Sequence, residues 1–137
     1  MPNPFKVPPD YILHFADVLE RWLDDGRRAG SITPTNPLTV TQMQEIPSLC
    51  AALGENRLDR LVVCKAVRSK RRAMIPIASN QRGYFMARKP DELDDTIETI
   101  MNKIVSLHGL VDELQSCRSK LEVDRMQRHT PVYHLAE

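Results

Sequence analysis

Ile75-Pro-Ile-Ala-Ser-Asn-Gln-Arg-Gly-Tyr-Phe-Met-Ala87 sets two short apolar runs on either side of a polar turn, which is the pattern of a β-hairpin. Ile75 and Ile77 alternate with Pro76 and Ala78, and Tyr84, Phe85 and Met86 form the return strand after Ser79 to Gly83. Gly83 is expected to supply a positive φ in that turn. Pro76 has no amide to donate, so it is expected at a position where no ladder bond is needed.

Upstream, Asn56 to Ala73 reads as a helix with Leu58, Leu61, Val62, Val63, Ala66 and Val67 on its inner side. Its remaining positions carry Arg57, Arg60, Lys65, Arg68, Ser69, Lys70, Arg71 and Arg72. From Arg57 to Lys89 there are ten Lys or Arg and one acid, Asp59, whereas Asp91 to Glu98 holds five acids. The overall charge of +1, from 19 basic and 18 acidic residues, hides this asymmetry and argues against a generic polycation. A single acid cannot neutralise such a helix face by pairing at i+4. The face is then either a nucleic-acid surface or a solvated basic face near the acids after Pro90. A basic helix running into a small hairpin is the outline of a winged helix-turn-helix, in which the helix enters the major groove and the hairpin is the wing.

The chain before this region reads as lead-in and support. Four prolines in residues 1–9 favour an extended start. Asp10 is placed to cap a helix carrying Tyr11, Ile12, Phe15, Val18, Leu19, Trp22 and Leu23 on one stripe, with Trp22 expected in the core. The stretch Gly26 to Gly30 is expected to stop it, and the Pro-, Thr- and Asn-rich segment to Pro37 reads as a linker. Thr39-Val-Thr-Gln42 is a capping-box pattern that should open a short helix. Pro47 should break that helix or restart it before a turn at Gly54 to Asn56.

After the hairpin, Leu93, Ile97, Ile100, Ile104, Leu107, Val111, Leu114 and Leu121 recur at alternating four- and three-residue steps. This is a heptad seam with Arg118 in one a position. β-branched a and mainly leucine d residues favour a parallel two-stranded coiled coil, hence a homodimer. A single helix folded back on the chain's own core is the alternative, since Met101 and Leu110 widen the stripe. Residues 127–137 show no period and read as a tail. The expected division is an N-terminal helix and linker in 1–36, a winged-helix core in 37–89, a dimerisation helix in 90–126 and the tail. The fold class is therefore mainly α, a winged helix-turn-helix with a small hairpin wing and a long C-terminal coiled-coil helix.

Residues from about Pro37 to Ala87, above all Pro76, Ile77, Ser79, Gly83 and Tyr84, resemble the winged-helix domains of small bacteriophage and prophage proteins. The resemblance implies binding of double-stranded DNA and a role in transcription or replication. Lys70 and Met74 depart from it, standing where such domains tend to have Leu-Arg and Gly. The expected DNA contacts are Arg57, Arg60, Lys65, Arg68, Ser69, Lys70, Arg71 and Arg72 on the helix, with Asn80, Gln81 and Arg82 at the wing tip. A second function, from another class, is a protein-interaction module that binds or inhibits a host protein without DNA binding; the near-neutral charge favours it.

Chemistry beyond binding is not indicated. Cys50, Cys64 and Cys117 are odd in number and widely spaced, which suits reduced cytosolic thiols rather than disulfides or zinc. His14, His108, His129 and His134 include no metal-ligand pair at i, i+4. There is no P-loop or dinucleotide fingerprint, so no enzyme, cofactor or metal is expected. No run of eighteen apolar residues occurs, and a cytoplasmic location without membrane contact is expected, in a bacterium or a host cell.

Overall fold

The structure, a computed structural model, describes residues 6–129. Its elements in chain order are α1 (Pro9–Ala29), α2 (Val40–Gln44), α3 (Pro47–Ala52), α4 (Arg60–Arg72), β1 (Ile77–Ser79), β2 (Tyr84–Met86) and α5 (Pro90–His129). The described chain is mainly helical, with one small antiparallel hairpin and a long C-terminal helix. It divides into two units between Ile97 and Glu98.

In the first unit α1 packs on α3, α4 and β2. It starts two residues earlier than a cap at Asp10 would place it: Pro8 is the N-cap and makes no side-chain cap bond. Pro9, with its fixed φ, suits the first turn, and Asp10 lies beside the positive end of the helix. The helix also passes through Gly26, where Ile32 folds back over the backbone and leaves no room for a side chain: a Cβ there would lie 2.4 Å from Ile32 Cδ1. It ends at Gly30, whose φ of 74° is left-handed. Phe15, Ala16, Leu19 and Leu23 form its buried stripe. Trp22 was expected in the core but is 40% exposed. It lies at the edge of the stripe, where its indole Nε1 donates to Ser48 Oγ of α3 at 2.8 Å and so keeps a polar partner.

The capping box is formed as the sequence indicates. Thr39 Oγ1 accepts from the Gln42 amide at 3.0 Å, and Gln42 Oε1 accepts from the Thr39 amide at 2.9 Å. Pro47 then restarts the chain as the first residue of α3. The next helix is shorter than Asn56 to Ala73. Asp59 caps α4 by accepting from the Val62 amide at 2.9 Å, so Arg57 and the buried Leu58 precede the helix. Met74 and Ile75 close its end in a Schellman motif, with Ile75 N–H on Lys70 O and Met74 N–H on Arg71 O, both at 3.0 Å. Met74 occupies the left-handed position, at φ 67°.

β1 and β2 pair in the register Ile77 with Met86, Ala78 with Phe85 and Ser79 with Tyr84. Leu38 pairs with the other edge of Tyr84, exchanging bonds of 2.8 and 2.9 Å with it. Pro76 offers only its carbonyl, which accepts from Ala87. Gly83 does not take a positive φ, contrary to expectation; Gly30 and Gly54 are the described glycines that do. Its requirement is space, since a Cβ would stand 2.3 Å from Leu38 O. Thr96 of α5 is buried against the hairpin, its Oγ1 accepting from Ser79 N–H at 3.2 Å and donating to Ser79 O at 3.0 Å.

Side chains of α1, the 32–38 segment, α2, α3, α4 and the hairpin share one apolar core. The boundary expected after residue 36 thus falls inside the first unit, and so does the one after residue 89. In the second unit, described to His129, the helix continues past the Met126 end expected from the sequence. The expected tail lies beyond the described residues from 130 onward.

Candidate nucleic-acid interface

α4 has two faces set by its 3.6-residue period. Val62, Val63, Ala66 and Val67 are buried against the core. The opposite arc holds Arg60, Leu61, Cys64, Lys65, Arg68 and Arg72, all exposed. Arg57, just before the helix, is exposed as well. Among the described residues none of Arg57, Arg60, Lys65, Arg68 and Arg72 takes part in a salt bridge. Leu61 was expected on the inner side and is instead 59% exposed, because the 3.6-residue period sets it nearly opposite the stripe of Val62, Val63, Ala66 and Val67 that is buried.

Four other expected contacts are placed differently. Lys70 faces α1, where Asp17 and Glu20 pair with it, the Glu20 contact being 2.8 Å. Burial alone would lower the ammonium's pKa, but the hydrogen bonds to the two carboxylates outweigh it and raise the value. The Asp17 carboxyl is correspondingly held below its usual range, first by the Lys70 hydrogen bond. The basic cluster is thus not wholly without acidic partners. Arg71 turns toward the hairpin, its Nε donating to Ile77 O at 2.8 Å and an Nη to Ser79 Oγ at 3.3 Å. Burial pushes its pKa down. Asn80 organises the turn: its Oδ1 accepts from the Arg82 and Gly83 amides at 2.9 and 3.1 Å, and its Nδ2 donates to Pro34 O at 2.9 Å. Ser69 is half-buried.

Gln81 and Arg82 remain exposed at the turn. Tyr84 joins hairpin and helix, its hydroxyl 3.7 Å from Cys64 Sγ. Burial, reinforced by that thiol, pushes the phenol up to about 12, against the pull of Arg71 and Arg60. Neither Cys64 nor Tyr84 figured among the expected site residues; a Cys set among valines gives no signal of an outward position.

The second unit carries an exposed apolar stripe. Ile97, at its border, and Ile100, Ile104, Leu107, Val111, Leu114 and Leu121 are between 43 and 69% exposed. Leu93, expected in the same seam, packs instead against the core of the first unit. Arg118 lies 3.6 Å from Glu122, one turn on.

Among the described residues no three His, Cys, Asp or Glu side chains gather as metal ligands, and no helix is long and apolar enough to cross a membrane. An open depression of about 350 Å³ beside α2 is lined by Ile32, Pro37, Leu38 and Ile46, with Glu45 its one ionisable group. In comparison with known proteins, the chain matches no family model, no curated protein and no solved structure.

Proposed function

We propose that the protein is a winged helix-turn-helix that binds double-stranded DNA as a homodimer, of the kind found in small bacteriophage and prophage regulators of transcription or replication. The observation that carries this reading is the outer face of α4, where Arg60, Lys65, Arg68 and Arg72 are exposed and unpaired by acids, with Arg57 beside them. The order of elements supports it: α1, a Leu38 bridge, the α2–α3 pair, α4 and a hairpin follow one another as in winged helices. Arg82 and Gln81 are the wing's exposed candidates for backbone contact. Lys70, Arg71 and Asn80 act by holding α4 and the wing in place. The stripe of the second unit is the dimerisation surface, and a dimer fits a two-fold symmetric site.

Fluorescence anisotropy with an arbitrary duplex at several salt concentrations tests the reading. Each phosphate contact contributes a slope of about −0.9 to log K against log salt, so Arg68→Ala with Arg72→Ala flattens it by about two. Salt-independent or absent binding overturns the DNA reading. It would leave the competing one, a module that binds or inhibits a host protein through its exposed apolar stripe.

A further inference from the structure

Leu61 is the large apolar side chain on a face that otherwise holds Arg60, Cys64, Lys65, Arg68 and Arg72. It sits in the first turn of α4, directly after Arg60, and is 59% exposed. With Arg60 as zero, steps of about 100° put Leu61 at about 100°, between Arg68 at about 80° and Arg72 at about 120°, with Lys65 at about 140°. Leu61 therefore lies in the middle of the arc that meets the duplex, and on docking it is desolvated whatever lies beneath it. The long cations around it reach sideways to phosphates on flexible stems. Leu61 is short, has no hydrogen-bonding group, and gains only from an apolar neighbour.

The base edges in the major groove are polar with one exception, the C5 methyl of thymine. A helix in that groove reads bases mainly with its N-terminal turns, where Leu61 stands. Resting on the DNA-binding reading of α4, we infer that Leu61 is a specificity-determining residue. It packs on a thymine methyl, so that the preferred site holds a T·A pair beneath the first turn of the helix. Burial of one methyl-sized group corresponds to a preference of about fourfold.

The test uses the full chain and a pool of random-sequence duplexes, from which the bound fraction is enriched. In the selected duplex each thymine is then replaced singly by deoxyuridine, which deletes only the methyl group from the major groove. The parent should lose about fourfold in affinity at one such position. Leu61→Ala should bind the thymine and uracil duplexes equally, and Leu61→Met should restore the difference, all three with the same salt slope. The ratio is measured within each variant, so a partial loss of folded protein cancels. A parent indifferent to every uracil overturns the inference, and so does Leu61→Ala keeping the full uracil penalty. Salt-dependent binding without enrichment of any sequence overturns it while leaving DNA binding intact. No duplex binding at all removes both.

Discussion

Met74 is the residue whose backbone and side chain disagree. Its φ of 67° lies in the left-handed region, where a Cβ crowds the following carbonyl, yet its side chain is 88% exposed and holds nothing in place. Met74→Gly should therefore stabilise the first unit by about 0.5–1 kcal/mol, the relief being partly offset by the looser unfolded chain. A higher denaturant midpoint at unchanged slope is the expected result. Gly83 is the opposite case. Its φ is not left-handed, and Gly83→Ala would push a methyl into Leu38 O at 2.3 Å, parting the bridge that joins Leu38 to Tyr84. A loss of about 1–3 kcal/mol is expected, as for other overpacked sites. Melting like the parent would show that the 38–84 pairing is not held. Tyr84 adds a pH signature at the alkaline end. Its phenol is raised from 10.0 to about 12 in the folded state, so the folded chain keeps a proton that the unfolded chain loses. Stability from this group is complete below pH 10.0 and is lost as pH rises through about 12. Phenolate absorbance should show one tyrosine titrating late, and Tyr84→Phe should remove that component.

At the scale of elements, α4 is positioned by groups the sequence does not place beside it. The ion pair from Lys70 to Asp17 spans 53 residues, and the Asn80 bond to Pro34 spans 46. Such partners are set by packing, so the sequence shows a run of cations and not which of them are held by the fold. Local devices are different. The Thr39 and Gln42 bonds close within one turn, and the Pro47 restart follows from its missing amide and fixed φ, so both are legible from residue order alone. The start of α4 lies between these cases. Asn56 and Asp59 are both able to cap, and the choice of Asp59 comes with the burial of Leu58 and the Gln44 bond to its carbonyl, 14 residues away. The Lys70 clamp between α1 and α4 predicts an acid response. Asp17 is lowered from 3.8 when folded, so its contribution is present above pH 3.8 and fades as pH falls through the depressed value. Lys70→Met should flatten that part of the acid unfolding curve. An identical acid profile in parent and variant would mean that the carboxylates do not lean on Lys70.

For the whole molecule the decisive question is what covers the apolar stripe of the second unit. Ile100, Leu107, Leu114 and Leu121 occupy d positions, and Ile97, Ile104, Val111 and Arg118 occupy a positions. No described residue from Ile100 to Arg128 is buried. On the proposed reading this exposed run is the surface through which two copies associate. In a parallel dimer Leu107 and Leu114 meet their own copies, and an aspartate at either place sets two desolvated like charges face to face. Leu107→Asp should convert the dimer to monomer in light scattering or sedimentation. The first unit should stay folded, since its core contains none of these side chains. In that dimer Arg118 at an a position would oppose its own copy and weaken the C-terminal end, while its contact with Glu122 would offset part of the charge. Arg118→Ile should lower the dimer dissociation constant without changing the strand number, because β-branched a with leucine d remains the two-stranded combination. Loss of the dimer should also weaken DNA binding at fixed salt, as one half-site replaces two. A parent that sediments as a folded monomer would deny the coiled coil. A dimer whose mass survives both Leu107→Asp and Leu114→Asp would move the interface elsewhere, with the exposed Trp22 and Tyr11 on α1 the next surface to mutate.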